Sequence, residues 1–146
     1  MQEISRIVTR LREAASLPDT LAAGFDAFEA VRQLARGCED AVPALFAAFM
    51  TAADAAVDGR EAITIAPSLP QDRPGGAGVS MPQASVPVEE IAGELAGLGA
   101  LLTDRLSGAA AIAATAADRA ACTEAAQAAG RIGQLMARGD HDRRPW

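Results

Sequence analysis

The sequence predicts an all-α protein: a four- to five-helix bundle with a long Pro/Gly-rich crossover loop. Apolar residues recur at helical spacing in successive segments of the chain. Alanine, the strongest helix former, is the largest contributor to the 50% hydrophobic content. Small residues also form one long i, i+4 row, which consists of Ala109, Ala113, Ala117, Ala121, Ala125, Ala129, Gly133 and Ala137. Such a row lets another backbone approach closely, so we expect tight helix packing there.

We treat residues 1–146 as a single helical domain whose first part, 1–59, holds three helices. These helices are predicted to cover residues 1–15, 19–37 and 39–57. A break at Ser16–Asp19 separates the first two, with Asp19 or Thr20 as the helix cap. Gly37 is predicted to end the second helix, and Asp58-Gly59 to end the third in a left-handed turn.

Four phenylalanines fall on the second and third helices: Phe25, Phe28, Phe46 and Phe49. Both pairs lie on the apolar face at helical spacing, so we expect them to meet in the densest part of the core. An aromatic pocket for a small apolar ligand is the alternative, and these four residues are then the candidate ligand-binding residues.

Residues 60–86 are predicted to form a Pro/Gly-rich linker, with a short extended segment at Ala62–Ile65. A C-terminal helical hairpin covers 87–138 and opens with Pro87 as a first helical residue. Ser107-Gly108 is the predicted hairpin turn. The polar segment 139–146 is expected to be a flexible tail.

The last two helices are predicted to complete their packing with another chain. Alanine supplies little core volume, so a bundle that depends on it gains from additional helices. The candidate interface residues are Gly93, Gly97, Ala117, Ala121, Ala125 and Ala129. We therefore expect a protein partner, with a homo-oligomer as the first possibility.

The inventory of reactive side chains predicts no catalytic residue, metal or cofactor. The one histidine, His141, lies in the charged tail, and no Glu-x-x-His pair or zinc-ligand spacing occurs. Cys38 and Cys122 are expected to be buried small hydrophobes. A cofactor-free enzyme would need a carboxylate in an apolar pocket, and Asp26, Asp54 and Glu61 lie closest to the aromatic helices.

A net charge of −6 argues against binding to nucleic acid or to an anionic membrane. We identify no signal peptide or charge-free span and expect a cytoplasmic protein. The absence of lysine, asparagine and tyrosine is typical of a GC-rich, bacterial coding sequence. Two further classes of protein are disfavoured. Exported helical hairpins carry a Trp-x-Gly turn, which is missing here. A helix-turn-helix regulator would need a basic recognition helix, which the sequence does not contain.

We therefore predict a non-enzymatic helical protein–protein interaction or adaptor module that can associate with itself. The alternative is a helical bundle that binds a small apolar ligand or catalyses a reaction without a cofactor.

Overall fold

The computed structural model describes residues 2–71 and 86–141, and within them it confirms an all-α bundle. The helices are α1 (Gln2–Glu13), α2 (Leu17–Cys38), a short 3-10 helix (Pro43–Leu45), α3 (Phe46–Thr64), α4 (Val88–Ile112) and α5 (Ala116–His141). In space α2, α3, α5 and α4 follow one another around a common core, and α1 lies at the edge against α2 and α4.

The core is made of a few large side chains set among many alanines. Its largest fully buried members are Phe28, Phe49, Ile4, Leu11, Leu21, Leu34, Ile63, Leu95, Leu98, Leu102, Leu106 and Ile132. Alanines of α3 and α5 fill the space between them, which allows these helices to pack closely.

The cap of α2 differs from the prediction. Ser16 is the N-cap, and its hydroxyl accepts a hydrogen bond of 3.2 Å from the Asp19 backbone N–H. The helix therefore begins at Leu17, with Pro18 in its first turn, and neither Asp19 nor Thr20 caps it. At the other end α2 continues one residue past Gly37 to Cys38.

The predicted bounds of the third helix were wrong at both ends. The helix proper begins at Phe46 rather than near Glu39, because a 3-10 turn at Pro43 precedes it. It runs through Gly59 and ends at Thr64, so Ile63 is a fully buried helical residue rather than part of an extended segment. No described glycine has a positive φ, so Gly59 serves close packing instead of a left-handed turn.

The C-terminal hairpin also turns later than predicted. Pro87 is the N-cap of α4 rather than its first helical residue, and α4 continues through Gly108 to Ile112. Buried Leu106 and Ala109 hold this last part of α4 against the bundle, which overrides the turn preference of Ser107-Gly108. The row of small residues is therefore divided between α4, the turn and α5.

Two predictions fall partly outside the described residues. Of the predicted linker, residues up to 71 are described, with Ala66 and Leu69 buried, and residues 72–85 lie outside. Of the predicted tail, the backbone is helical as far as His141, and residues 142–146 lie outside.

Ion pairs connect neighbouring helices at the surface. Arg10 of α1 contacts Asp26 of α2 at 2.7 Å, and Arg60 of α3 contacts Glu29 of α2. Burial opposes the charge of Glu29, but hydrogen bonds and positive charge from Arg60 and Arg32 outweigh it, so the pKa of Glu29 is lowered. Exposed ion pairs contribute roughly 0–1 kcal/mol each, so apolar packing is the main source of stability.

Candidate functional site

The four phenylalanines differ in burial, and none of them lines any of the three clefts that we describe among residues 2–71 and 86–141. Phe28 and Phe49 are fully buried, as expected for core residues, whereas Phe46 is 41% exposed on the first turn of α3. Phe25 is half-buried at the edge of the core. The three clefts described below contain no phenylalanine among their lining residues.

The candidate carboxylates near the aromatic helices lie towards solvent. Asp26 pairs with Arg10, Asp54 is 64% exposed beside Arg36, and Glu61 is exposed. Each of these carboxylates contacts water or an arginine rather than being enclosed by apolar side chains.

The buried carboxylate of the described structure is instead Asp118, which is 3% exposed in the first turn of α5. Ser68, in the segment after α3, donates both its backbone N–H and its hydroxyl to this carboxylate, at 3.0 and 2.5 Å. The Ser68 hydrogen bonds lower the pKa of Asp118 against the opposing effect of burial, and Thr115 adds a further lowering contribution.

The hydrogen bonds of Asp118 connect the segment after α3 to the start of α5. The burial of this carboxylate therefore has a structural explanation. The Asp118 backbone N–H donates to the Thr115 hydroxyl at 3.1 Å, so Thr115 caps α5. The Thr-x-x-Asp spacing of a capping box is visible in the sequence and would have located this helix start. Its contact with Ser68, 50 residues away, has no local sequence signal.

Both cysteines are buried free thiols, as predicted. Burial raises the pKa of Cys38, and burial together with the nearby Asp118 charge raises the pKa of Cys122. A thiol that stays protonated is a poor nucleophile and a poor metal ligand. Among the described residues no group of three or more His, Cys, Asp or Glu side chains has metal-binding geometry.

The alanine row of α5 is used mainly inside the chain. Ala121, Ala125 and Ala129 are at most 1% exposed, whereas Ala117 is exposed. The contact between α4 and α5 is close enough that a Cβ atom on Gly99 would lie 2.7 Å from the backbone nitrogen of Gly133. The tight helix packing expected from this row is therefore found between helices of one chain.

The other candidate interface residues, Gly93 and Gly97, are exposed within the described residues and line a cleft beside α1. We define the outer face of α4 as its exposed strip with half-buried Leu101, namely Glu90, Gly93, Glu94, Gly97, Ala100, Leu101, Asp104, Gly108, Ala111 and Ile112. A Cβ atom on Gly93, Gly97 or Gly108 would meet no described atom within 4 Å. Ile112 is 76% exposed at the end of the strip.

Two clefts lie along this face. An N-terminal cleft of about 290 Å³ is lined by Val8 and Arg12 of α1 and by Gly93, Glu94, Gly97, Leu98 and Leu101 of α4. A C-terminal cleft of about 440 Å³ lies between the α1–α2 connection and the part of α4 from Asp104 to Ile112. A third cleft of about 230 Å³ lies between α1 and α2, away from α4.

Arg105 forms one wall of the C-terminal cleft. Its guanidinium donates a hydrogen bond to the Ala14 carbonyl and so anchors the α1–α2 connection on α4. Its buried Nε has no hydrogen-bond partner in the described part of the chain. The clefts thus combine small apolar residues with charged groups at their rims.

By length and composition α4 alone, among the described helices, passes a test for a membrane-spanning helix. About one third of its apolar stretch is buried inside the bundle. Core helices of soluble proteins pass the same test, so it is weak evidence for a membrane span.

The described structure belongs to the class of all-α helical bundles, with an open strip of small residues on one helix. No protein-family model matches the chain, and neither a curated protein sequence nor a solved structure shows significant similarity to it.

Proposed function

We propose that the protein is a non-enzymatic interaction module of the cytoplasm that binds a protein partner, itself or another, through the outer face of α4. The observation that carries the proposal is the open space around Gly93, Gly97 and Gly108. A glycine in a helix interior is less favourable than alanine by about 0.5–1 kcal/mol. No neighbour in the described structure compensates for these three glycines, and a closely packed partner helix would do so.

The contrast with Gly99 supports this interpretation. Gly99, on the same helix, allows the close approach of α5, so its missing side chain has an evident use. Gly97 lies two residues earlier and faces outward. The same residue type on opposite sides of α4 is consistent with one helix contact inside the chain and a second one outside it.

The charges of the face favour a protein over other macromolecules. Glu90, Glu94 and Asp104 make the face acidic, which disfavours the phosphates of nucleic acids and of anionic lipids. Arg12 at the rim provides one positive group for a partner carboxylate. An amphipathic helix that presents small or apolar residues fits such a groove.

Site-specific photocrosslinking in the native host tests the proposal. A benzophenone amino acid at Ala100 or Ala111, both exposed on α4, is expected to yield discrete protein adducts. The matched control is the same amino acid at Ala120, which is exposed on α5. Equal crosslinking at all three positions, or none at the α4 positions, would contradict the proposal.

A small-ligand site is the second candidate function, favoured by the C-terminal cleft. Its volume of about 440 Å³ lies in the range of small-molecule pockets, roughly 300–1,000 Å³. Leu17 and Ile112 give it an apolar surface, and Arg105 gives it one cation. A reproducible excess mass in the native mass spectrum of the protein from its host, lost in Gly108→Leu and retained in Ala120→Leu, would support this alternative.

A further inference from the structure

We propose that the partner of the outer face of α4 is a second copy of this chain, bound about a two-fold axis with the two α4 helices antiparallel. This inference rests on the proposed function and names its partner. It is carried by the symmetry of the residue spacing on the exposed face and by two unpaired charges that the two-fold axis brings together.

The outer face of α4 has the residue spacing of a second surface for helix–helix packing, which we call the outer seam. Its central residues alternate three and four positions apart, in the order Glu94, Gly97, Leu101, Asp104, Gly108 and Ala111. Alternation of three and four is the heptad spacing of helices that pack along their length. The inner seam of α4, which includes Leu95, Leu98 and Leu102, is already buried in the bundle. The outer one is unused in the described structure.

The spacing of the outer-seam residues is symmetric about the midpoint between Leu102 and Thr103. In an antiparallel pair centred there, Gly97 lies opposite Gly108 of the second copy, and Leu101 lies opposite Asp104 of the second copy. Glu94 then lies opposite Ala111. Two glycine–glycine contacts allow the backbones to approach at both ends of the pair, as Gly99 and Gly133 do inside the chain.

The same arrangement covers the most exposed apolar side chain of the described structure. Ile112 is 76% exposed and flanks the seam beside Gly108, so a second copy packed on the seam covers part of its side chain. The two-fold axis places one such isoleucine near each end of the interface. Burial of apolar area contributes about 25 cal/mol/Å², so this contact favours association.

Charge distinguishes this register from a second symmetric one. A pair centred on Gly97 would place Glu90 opposite Asp104 of the second copy, and like charges that face each other disfavour association. The register centred between Leu102 and Thr103 opposes no two acidic residues directly. It is therefore the favoured arrangement of the two.

Arg12 and Asp104 supply the matching pair of opposite charges. Arg12 lines the N-terminal cleft beside Leu101. Asp104 is exposed, and neither residue has an ion-pair partner within the described residues. Because Asp104 of the second copy lies opposite Leu101, it reaches the cleft that holds Arg12. The two-fold axis repeats this contact, which gives two ion pairs across the interface.

Sedimentation equilibrium of the purified full chain tests the arrangement. We expect a dimer at micromolar concentration that Gly97→Leu abolishes, whereas Ala120→Leu on exposed α5 leaves the dimer intact. Arg12→Glu and Asp104→Arg alone are each expected to weaken dimerisation by about fivefold or more, since two exposed ion pairs become repulsive. The double variant Arg12→Glu/Asp104→Arg is expected to restore it. Circular dichroism checks that every variant is folded.

A wild-type chain that stays monomeric at high micromolar concentration would overturn the two-fold dimer. A dimer that Gly97→Leu leaves unchanged, or single charge reversals that the double variant does not correct, would overturn it as well. These outcomes leave the proposed function separately testable, because photocrosslinking at Ala100 detects any protein partner. If the crosslinked adduct has a mass other than twice that of the chain, the function stands and the second copy is rejected.

Discussion

The aromatic ring of Phe28 lies directly against Gly59, so that a Cβ atom at residue 59 would come within 2.4 Å of the ring carbons Cε1 and Cζ. Phe28 is completely buried, with 0% of its surface exposed to solvent. The contact fixes the distance between α2 and α3. It also explains why a glycine lies in the middle of α3 without a turn.

Replacing Gly59 by alanine is therefore expected to destabilise the bundle. The added methyl group must displace a buried ring, and overpacking of this kind costs about 1–3 kcal/mol. Better helix propensity offsets about 1 kcal/mol of that loss. Urea unfolding followed by circular dichroism should show a lower midpoint with an unchanged slope. An unchanged or higher midpoint would show that the ring moves aside freely.

The same substitution at Gly108 is expected to have the opposite effect on folding of the isolated chain. A Cβ atom there meets nothing within 4 Å among residues 2–71 and 86–141, so only the helix propensity changes. Stability should rise by about 0.5–1 kcal/mol. Measurement below the concentration at which the chain associates separates this gain from any effect on dimerisation. A loss of stability under those conditions would mean that residue 108 has an intramolecular neighbour.

The hydrogen bonds between Ser68 and Asp118 predict how the free energy of unfolding changes with pH in the acid range. The pKa of Asp118 is lowered in the folded chain from its ordinary value of 3.8. The unfolded chain therefore binds this proton first, and the contribution of Asp118 is complete above about pH 4 and lost as the pH falls through the folded pKa. Acid unfolding followed by circular dichroism measures this loss.

Asp118→Asn should lower stability at pH 7 by about 1–3 kcal/mol, the range for a buried polar group that loses hydrogen bonds. It should also make stability less dependent on pH below 4. Asp54→Asn, at a 64% exposed position, is the matched control and should change little. An acid profile that is the same for Asp118→Asn and the wild type would show that the Ser68 contact does not hold the charged form.

Because both thiols are buried, we expect thiol reagents to modify the native protein slowly. Burial raises the pKa of Cys38, and burial with the Asp118 charge raises that of Cys122, so neither forms a thiolate readily at neutral pH. Ellman's reagent should react with no cysteine in the folded protein and with both in denaturant. Rapid reaction of one thiol in the native protein would reveal local opening around that helix.

Local patterning was sufficient to predict the fold class and most helices. The periodicity of Leu95, Leu98 and Leu102 identifies the buried side of α4, because helical geometry places such residues on one face. The burial of Phe28, Phe49 and both cysteines was also predictable from their positions on apolar faces. These properties depend on residues a few positions apart, and the sequence displays them directly.

Helix ends and the assignment of the small residues required the tertiary structure. Gly59 and Gly108 are typical helix terminators, yet Phe28 packs on the first, and buried Leu106 and Ala109 hold the helix straight past the second. Ala121 and Gly97 look alike in the sequence, but one is buried against neighbouring helices and the other is open. A small side chain permits close approach without specifying a partner, so only the arrangement of all the helices decides which of these residues remain free to bind another chain.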